Sequence, residues 1–191
     1  MSIPSRAEAA RLLRDLQPPD WLLGHSTAVG EIASFLAARI AEQGHPIDVA
    51  LVEAAAFLHD VDKALPSEDK RRGHGHGIAG AIWAHHEGYD EIAPAIADHP
   101  VSRLMDDDSY LPWAKWATIE ERVVAYADKR AHQDVVSLDE RFAEWVARHG
   151  ASPEMDVARE RAQALEREIC EAAGIEPGEV RRAAWVEAAS S

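Results

Sequence analysis

The helical spacing of apolar residues is the feature that most restricts the fold of this chain. Alanine and other helix formers recur at helical spacing, and β-branched segments with period-two alternation are nearly absent. The pattern predicts helices over residues 6–16, 20–40, 49–63, 73–86, 90–97, 118–132, 137–148, 153–173 and 177–189. An acidic loop is predicted over residues 106–109. Because no repeat or linker divides the series, the sequence predicts one all-α domain spanning residues 1–191.

The charge balance excludes several classes of partner. Twenty Lys and Arg residues oppose 34 Asp and Glu residues, which gives a formal net charge of −14 at pH 7. DNA, RNA and anionic membrane surfaces call for a basic face, so we expect no nucleic acid polymer and no membrane as partner. No segment approaches the roughly 18 apolar residues of a membrane span. The single cysteine, Cys170, excludes an internal disulfide and fits a reducing compartment, so we expect a cytoplasmic protein.

The candidate chemistry centres on His59-Asp60, which ends the most apolar predicted helix. Imidazole and carboxylate groups at the edge of a core need partners, and a metal ion suits both. His25 and Asp128 are likewise polar residues within apolar segments of other predicted helices. Taken singly, such residues are more often core histidines or ion-pair partners. Together they predict a mixed nitrogen and oxygen site for a divalent transition metal.

The order His25, His59-Asp60, Asp128 resembles the HD superfamily of metal-dependent phosphohydrolases. Lys63 extends the central pair to the His-Asp-x-x-Lys form found in many members. The resemblance implies an all-α bundle that hydrolyses a phosphoester or phosphoanhydride bond with metal-activated water. It implies that Asp60 is central to the metal site and that Lys63 stabilises the transition state.

The resemblance also divides the chain and bears on the number of metal ions. It covers residues 20–141 and leaves residues 142–191 as a C-terminal helical extension. His76 begins the sequence HGIAGA and His99 ends the sequence IADH, and both resemble segments of HD proteins that hydrolyse diadenosine tetraphosphate symmetrically. In those members the two histidines bind a second metal and the aspartate of the His-Asp pair bridges both ions.

The resemblance therefore implies one or two divalent transition metal ions, with Fe or Mn favoured over Mg, Co, Ni or Zn. The ligands that it implies for the first ion are His25, His59, Asp60 and Asp128. The ligands that it implies for the second ion are Asp60, His76 and His99.

The expected substrate is a small phosphorylated molecule, namely a nucleotide or a dinucleoside polyphosphate. Lys63, Arg103, Lys129 and Arg130 are candidate phosphate-binding residues, although the last three are as readily explained as solvated surface cations. The sequence leaves the oligomeric state open, a homodimer included.

Three alternatives remain open at this point. A mononuclear 5′-nucleotidase acting on (deoxy)nucleoside monophosphates would use His76 and His99 as substrate contacts. A non-catalytic nucleotide-binding HD module would keep the fold, although it would not need the complete set of metal-site residues and Lys63. An oxygenase using the same dinuclear scaffold is the third, and Lys63 has a less obvious role there.

Overall fold

The structure, a computed structural model, describes residues 3–184 of the 191. Within this range it contains ten α-helices, three short 3₁₀ helices and no β-strand, which confirms the predicted all-α class. The α-helices are α1 (Arg6–Asp15), α2 (Asp20–Glu42), α3 (Val49–Leu58), α4 (Ile78–His86), α5 (Ala93–Asp98), α6 (Val101–Met105), α7 (Asp107–Trp116), α8 (Ile119–Lys129), α9 (Leu138–His149) and α10 (Pro153–Ala173). The 3₁₀ helices are Val61–Ala64, Lys70–His74 and Pro177–Glu179. None of these helices combines the length and the hydropathy that a membrane span requires.

The centre of the fold is formed by α2, α3 and α8, which pack against one another. Helix α3 is apolar around nearly its whole circumference, and every residue from 54 to 58 is buried. A helix of this kind is stable only when other helices surround it. Its buried position carries the residues that follow Leu58 into the interior of the protein.

Several helices begin at residues that satisfy their free backbone amides. Thr118 and Ser137 form capping boxes with Glu121 and Glu140 at the start of α8 and α9. Asp48 accepts a hydrogen bond from the Leu51 amide and so fixes the start of α3. Each cap of this type stabilises a helix by about 1 kcal/mol.

Several predicted boundaries differ from the structure. Helix α4 begins at Ile78 rather than at residue 73, and α6 lies outside every predicted helix. Helix α3 ends at Leu58 rather than at residue 63, because the chain tightens into the 3₁₀ helix Val61–Ala64. The predicted acidic loop 106–109 begins α7 instead. The Asp106 side chain accepts from the Ser109 amide at 2.8 Å, and acidic residues in a first turn complement the helix dipole. The helix predicted over residues 177–189 is only the 3₁₀ helix Pro177–Glu179, and residues 185–191 lie outside the described part.

Apolar residues of the C-terminal helices belong to the same core as the rest of the chain. Phe142 of α9 and Leu165 and Ile169 of α10 are buried in that cluster. Helix α10 packs against α2, α6 and α8. The boundary at residue 141 between an HD core and an extension stays a prediction.

Candidate metal centre

Six polar side chains from five segments of the chain converge beneath the surface. His25 lies near the start of α2, Asp128 lies in the last turn of α8, and His59 and His99 follow directly after α3 and α5. Asp60 follows His59, and His76 precedes α4. The first five are almost fully buried, whereas the His76 side chain is 37% exposed. These are the residues predicted as metal ligands, and the structure brings all of them together.

The first group contains His25, His59, Asp128 and one oxygen of Asp60. Nε2 of His25 lies 3.2 Å from Nε2 of His59 and 3.3 Å from Oδ1 of Asp128. Oδ2 of Asp60 lies 3.4 Å from Nε2 of His59 and 3.6 Å from Nε2 of His25. Atoms that share one metal ion at about 2.1 Å stand at such separations from one another.

The second group contains the other oxygen of Asp60 together with His76 and His99. Oδ1 of Asp60 lies 3.3 Å from Nε2 of His76 and 3.4 Å from Nε2 of His99. The two imidazole nitrogens lie 3.2 Å apart. Asp60 therefore belongs to both groups, with one carboxylate oxygen directed to each.

The Nδ1 contacts of the four histidines direct the other ring nitrogen, Nε2, into these groups. Each Nδ1 atom lies 2.7–3.0 Å from an oxygen, namely His132 O, Ala56 O, Asp62 Oδ2 and Ile96 O. Because these oxygens only accept, each Nδ1 donates, and Nε2 of a neutral ring presents a lone pair. Lone pairs of neutral rings would face one another and face carboxylates, an arrangement that a bound cation or a proton on one of the rings stabilises.

The environment of Asp60 Oδ1 is a separate observation on whether these residues suit a metal ion. The atom is buried and has no hydrogen-bond partner among the described residues. An unpaired buried carboxylate oxygen carries a large desolvation penalty, so it is retained where a cation compensates it. The nitrogen and oxygen donor set fits a divalent transition metal at each group. The residues present therefore fit the metal that the sequence predicts.

The pKa values of the converging residues show that the buried carboxylates favour a positive charge beside them. Burial opposes protonation of His59, but Asp60 and Asp128 outweigh it and raise the pKa of His59 to about 10. Burial alone would raise the pKa of Asp60, but His59 is the main group that outweighs it and holds the pKa well below the usual range. The pKa of Asp128 is held low by His25 and His59 against the effect of burial. Burial lowers the pKa of His99 to about 4, so that its ring is neutral at pH 7 and available as a ligand.

Lys63 occupies the solvent side of the same carboxylate. Its Nζ lies 2.7 Å from Asp60 Oδ2, and its side chain is 39% exposed. The ammonium group is thus both fixed by the site and accessible to a bound molecule. This position agrees with the predicted role of Lys63 without testing it.

Burial does not favour phosphate binding by two of the predicted residues, Lys129 and Arg130. Lys129 is fully buried, and its Nζ donates to backbone carbonyls of His99 and Ala125. Burial lowers the pKa of Lys129 to about 8. Arg130 is also buried and donates to Glu166 at 2.8 Å, on the side of α10. Both cations are therefore occupied by protein groups beneath the surface.

Arg103 lies closer to the metal centre but is already paired. Its guanidinium group forms an ion pair with Asp98 and donates to the Ser109 carbonyl. It lines a cavity of about 310 Å³ that also includes His76. Arg103 can therefore contact a bound molecule, but the neighbouring carboxylate neutralises its charge.

One contact outside the two ligand groups completes the site. Asp62 accepts from Nδ1 of His76 at 3.0 Å, an arrangement that orients the ring and makes Nε2 a better ligand. In the sequence, a carboxylate two residues after Asp60 is compatible with orienting a ligand histidine, with proton transfer and with an ordinary position at a helix end. The other histidines of this region, His74, His85 and His86, are exposed and belong to neither group.

Comparison with known proteins agrees with the geometry. The HD domain family model matches residues 22–133, a segment that contains all six converging side chains. No curated protein and no solved structure matches the chain. Since the matched segment covers more than half of the 191 residues, the chain belongs to the HD domain family.

Proposed function

We propose that this protein is a metal-dependent phosphohydrolase with two divalent metal ions, acting on a nucleotide or a dinucleoside polyphosphate. The observation that carries the proposal is the arrangement of Asp60, whose two oxygens face separate histidine pairs. A carboxylate between two groups of ligands is the expected bridge of a dinuclear site. Two-metal sites of this kind are typical of enzymes that displace groups at phosphorus.

Each ion would have its own set of protein ligands. His25, His59, Asp60 and Asp128 would hold the first, and Asp60, His76 and His99 the second. Metal ions bound there would lower the pKa of water toward neutrality and polarise a phosphoryl oxygen. Fe or Mn remains the favoured identity, because the donors mix imidazole and carboxylate.

The residues of the chain supply the remaining requirements of phosphate hydrolysis. Lys63, fixed by Asp60 and partly exposed, can donate a hydrogen bond to a phosphoryl oxygen as negative charge develops on it. Asp62 keeps the proton of His76 on Nδ1, so that Nε2 remains a donor atom toward the site. The local positive charge of Lys63 and the metals also explains how a chain of net charge −14 would accept an anionic substrate.

The dinucleoside polyphosphate part of the proposal is supported by the second group of ligands. His76 and His99 lie in segments that resemble those of symmetrical diadenosine tetraphosphate hydrolases, and both rings reach Asp60 Oδ1. The location that we propose is the cytoplasm, since Cys170 is the single cysteine. A homodimer stays a prediction.

A second candidate is favoured by the exposure of one histidine. The His76 side chain is 37% exposed, whereas the side chains of the other five residues are 10% exposed or less. In a mononuclear 5′-nucleotidase, His76 would contact the substrate instead of a metal. The two candidates differ in metal stoichiometry and in the length of the phosphate chain that is cleaved.

The test is a phosphate-release assay on protein first freed of metal and then reconstituted with Mn²⁺ or Fe²⁺. Substrates would include nucleoside mono-, di- and triphosphates and diadenosine tetraphosphate, with bound metal measured in the same samples. Two equivalents with cleavage of diadenosine tetraphosphate would support the proposal. One equivalent with monophosphatase activity would favour the nucleotidase. Bound metal without turnover of any phosphorylated nucleotide would reject both.

A further inference from the structure

Lys129 is a buried charged residue that has no role in the proposed hydrolysis. Its side chain has an exposed fraction of 1%, and lysine is almost never fully buried unless it is paired. Its Nζ lies 2.7 Å from the His99 carbonyl, 2.9 Å from the Ala125 carbonyl and 3.8 Å from Asp128 Oδ2. The ammonium group therefore contacts a residue from each of the two ligand groups.

These contacts join α8 and α5 at the ends that carry Asp128 and His99. Lys129 follows Asp128 at the end of α8, and the bond to Ala125 holds its ammonium group against that helix. His99 follows α5, a helix of only six residues, and its carbonyl is the atom that Lys129 binds. The His99 ring is fixed by its own bond from Nδ1 to the Ile96 carbonyl.

We propose that Lys129 is a positioning residue that holds the backbone of His99 against α8 and so places His99 in the second ligand group. The inference rests on the dinuclear site of the proposed function. Without the hydrogen bond from Lys129 to the His99 carbonyl, the end of the short helix α5 is no longer attached to α8 through this contact. Nε2 of His99 is then no longer held 3.4 Å from Asp60 Oδ1. The first group does not depend on this bond, because His25, His59 and Asp128 are carried by α2, α3 and α8.

A purely electrostatic role for Lys129 makes the opposite prediction. If the ammonium group only neutralised Asp128, its removal would leave the site more negative and would strengthen the binding of divalent cations at both groups. If it positions His99, its removal weakens the second group selectively. The direction of the change at the second metal therefore separates the two roles.

The experiment is a titration of the metal-free full chain with Mn²⁺, with Lys129→Met as the variant. Methionine keeps most of the buried volume and removes the donor. We expect two equivalents for the unaltered protein. For K129M we expect the first equivalent to bind with equal or higher affinity and the second to bind at least about tenfold more weakly, as for other losses of support around a ligand.

The matched control is Arg130→Met. Arg130 is the next residue, is also buried, and donates to Glu166 and to the Val136 carbonyl rather than to His99. R130M removes a buried cation without touching the second ligand group, so both Mn²⁺ affinities should stay unchanged. The decrease in melting temperature of R130M also measures how far the loss of a buried cation destabilises the fold, for comparison with K129M. If circular dichroism shows that K129M does not fold, Lys129→Gln is titrated under the same criterion.

The outcomes are distinct. Two equivalents in K129M at unchanged or higher affinity would overturn the positioning role, as would an equal loss at both groups. A single equivalent in the unaltered protein would overturn it together with the dinuclear site, but would leave a mononuclear phosphohydrolase standing. A third outcome is that the unaltered protein binds two equivalents and K129M loses affinity for the second alone, but no hydrolysis is detected. That result would support the role of Lys129 and reject the proposed reaction.

Discussion

Asp62 accepts a hydrogen bond from Nδ1 of His76 at 3.0 Å, and Nε2 of the same ring lies 3.3 Å from Asp60 Oδ1. A carboxylate behind an imidazole fixes its tautomer and raises its basicity. His76 is the most exposed of the six converging residues, and Asp62 is the hydrogen-bond partner of its Nδ1 atom. The orientation of His76 therefore depends on Asp62.

The variant Asp62→Asn should weaken the second metal selectively. An amide is a poorer acceptor than a carboxylate, and the loss of such an outer partner lowers metal affinity by about 10–100-fold. Titration of the metal-free protein with Mn²⁺ measures both affinities. The matched control is Asp90→Asn, since Asp90 forms the same kind of pair with Nδ1 of His85 on the surface, and neither residue belongs to a ligand group. Equal affinities in D62N and D90N would show that Asp62 has no role in metal binding.

The variant Asp60→Ala should remove activity and weaken both metals together. Asp60 contributes one oxygen to each group, and alanine removes both of them. We expect turnover to fall by at least about 10³-fold, as for the loss of a central catalytic group. Metal analysis and phosphate release on the same preparation check this, with circular dichroism to verify that the helices persist. A variant that keeps either ion at unaltered affinity would contradict the bridging role.

The variant Lys63→Met should separate catalysis from metal binding. Lys63 donates to Asp60 Oδ2 from the solvent side and is not among the predicted ligands. Removal of a donor directed at developing negative charge lowers kcat by about 10²–10³-fold, while two metal equivalents should remain. Lys70→Met is the control, because Lys70 is an exposed cation of the adjacent 3₁₀ helix. A normal kcat in K63M would exclude transition-state stabilisation by this residue.

Sequence patterns predicted the first ligand group better than any other part of the site. His25, His59-Asp60 and Asp128 stand out as polar residues in apolar helices, and burial of such groups requires a partner. His76 has no apolar context of this kind, and it was predicted through resemblance alone. The first group is therefore recognisable from local patterns, whereas the second depends on how separate helices meet.

The burial of Lys129 was not predicted for a related reason. The periodicity of a single helix indicates which face is apolar, but not how many neighbours cover the other faces. Helix α8 packs against α2, α3, α5 and α10, and every residue from 123 to 131 is buried. A lysine at the end of such a helix is indistinguishable in sequence from a solvated one. The same limit explains α7, whose acidic first turn has the composition of a loop.

Metal removal should lower the thermal stability of the folded protein. Folding brings these buried carboxylates and imidazoles together, so ions that bind only the folded state stabilise it. At a metal concentration of about 100 times Kd the gain is about 2.7 kcal/mol, which corresponds to about 5–10 °C in a chain of this size. Melting with Mn²⁺ and with chelator measures the difference. Asp60→Ala should show a smaller difference between the two conditions, and an undiminished shift in that variant would point to binding elsewhere.

The close approach of α4 to α5 yields a prediction about Gly80. A Cβ at this position would lie 2.8 Å from Cγ2 of Ile96 and 3.3 Å from Cγ1 of Val61. Alanine in place of a helical glycine gains about 1 kcal/mol in helix propensity, but overpacking a rigid core costs about 1–3 kcal/mol. Because Ile96 and Val61 are fully buried and cannot move aside, the packing cost prevails.

We therefore expect Gly80→Ala to lower the free energy of unfolding by up to about 2 kcal/mol, the packing cost less the gain in helix propensity, measured by urea denaturation of metal-free protein. Gly73→Ala is the control, since Gly73 has no atom within 4 Å of a built Cβ and its change should stay within about 0.5 kcal/mol. Ile96 supplies the carbonyl that fixes the His99 ring, so the shift of α5 in G80A should also weaken the second metal. If G80A is destabilised but keeps both Mn²⁺ affinities, α5 can move without displacing His99. The second metal would then tolerate a shift of α5.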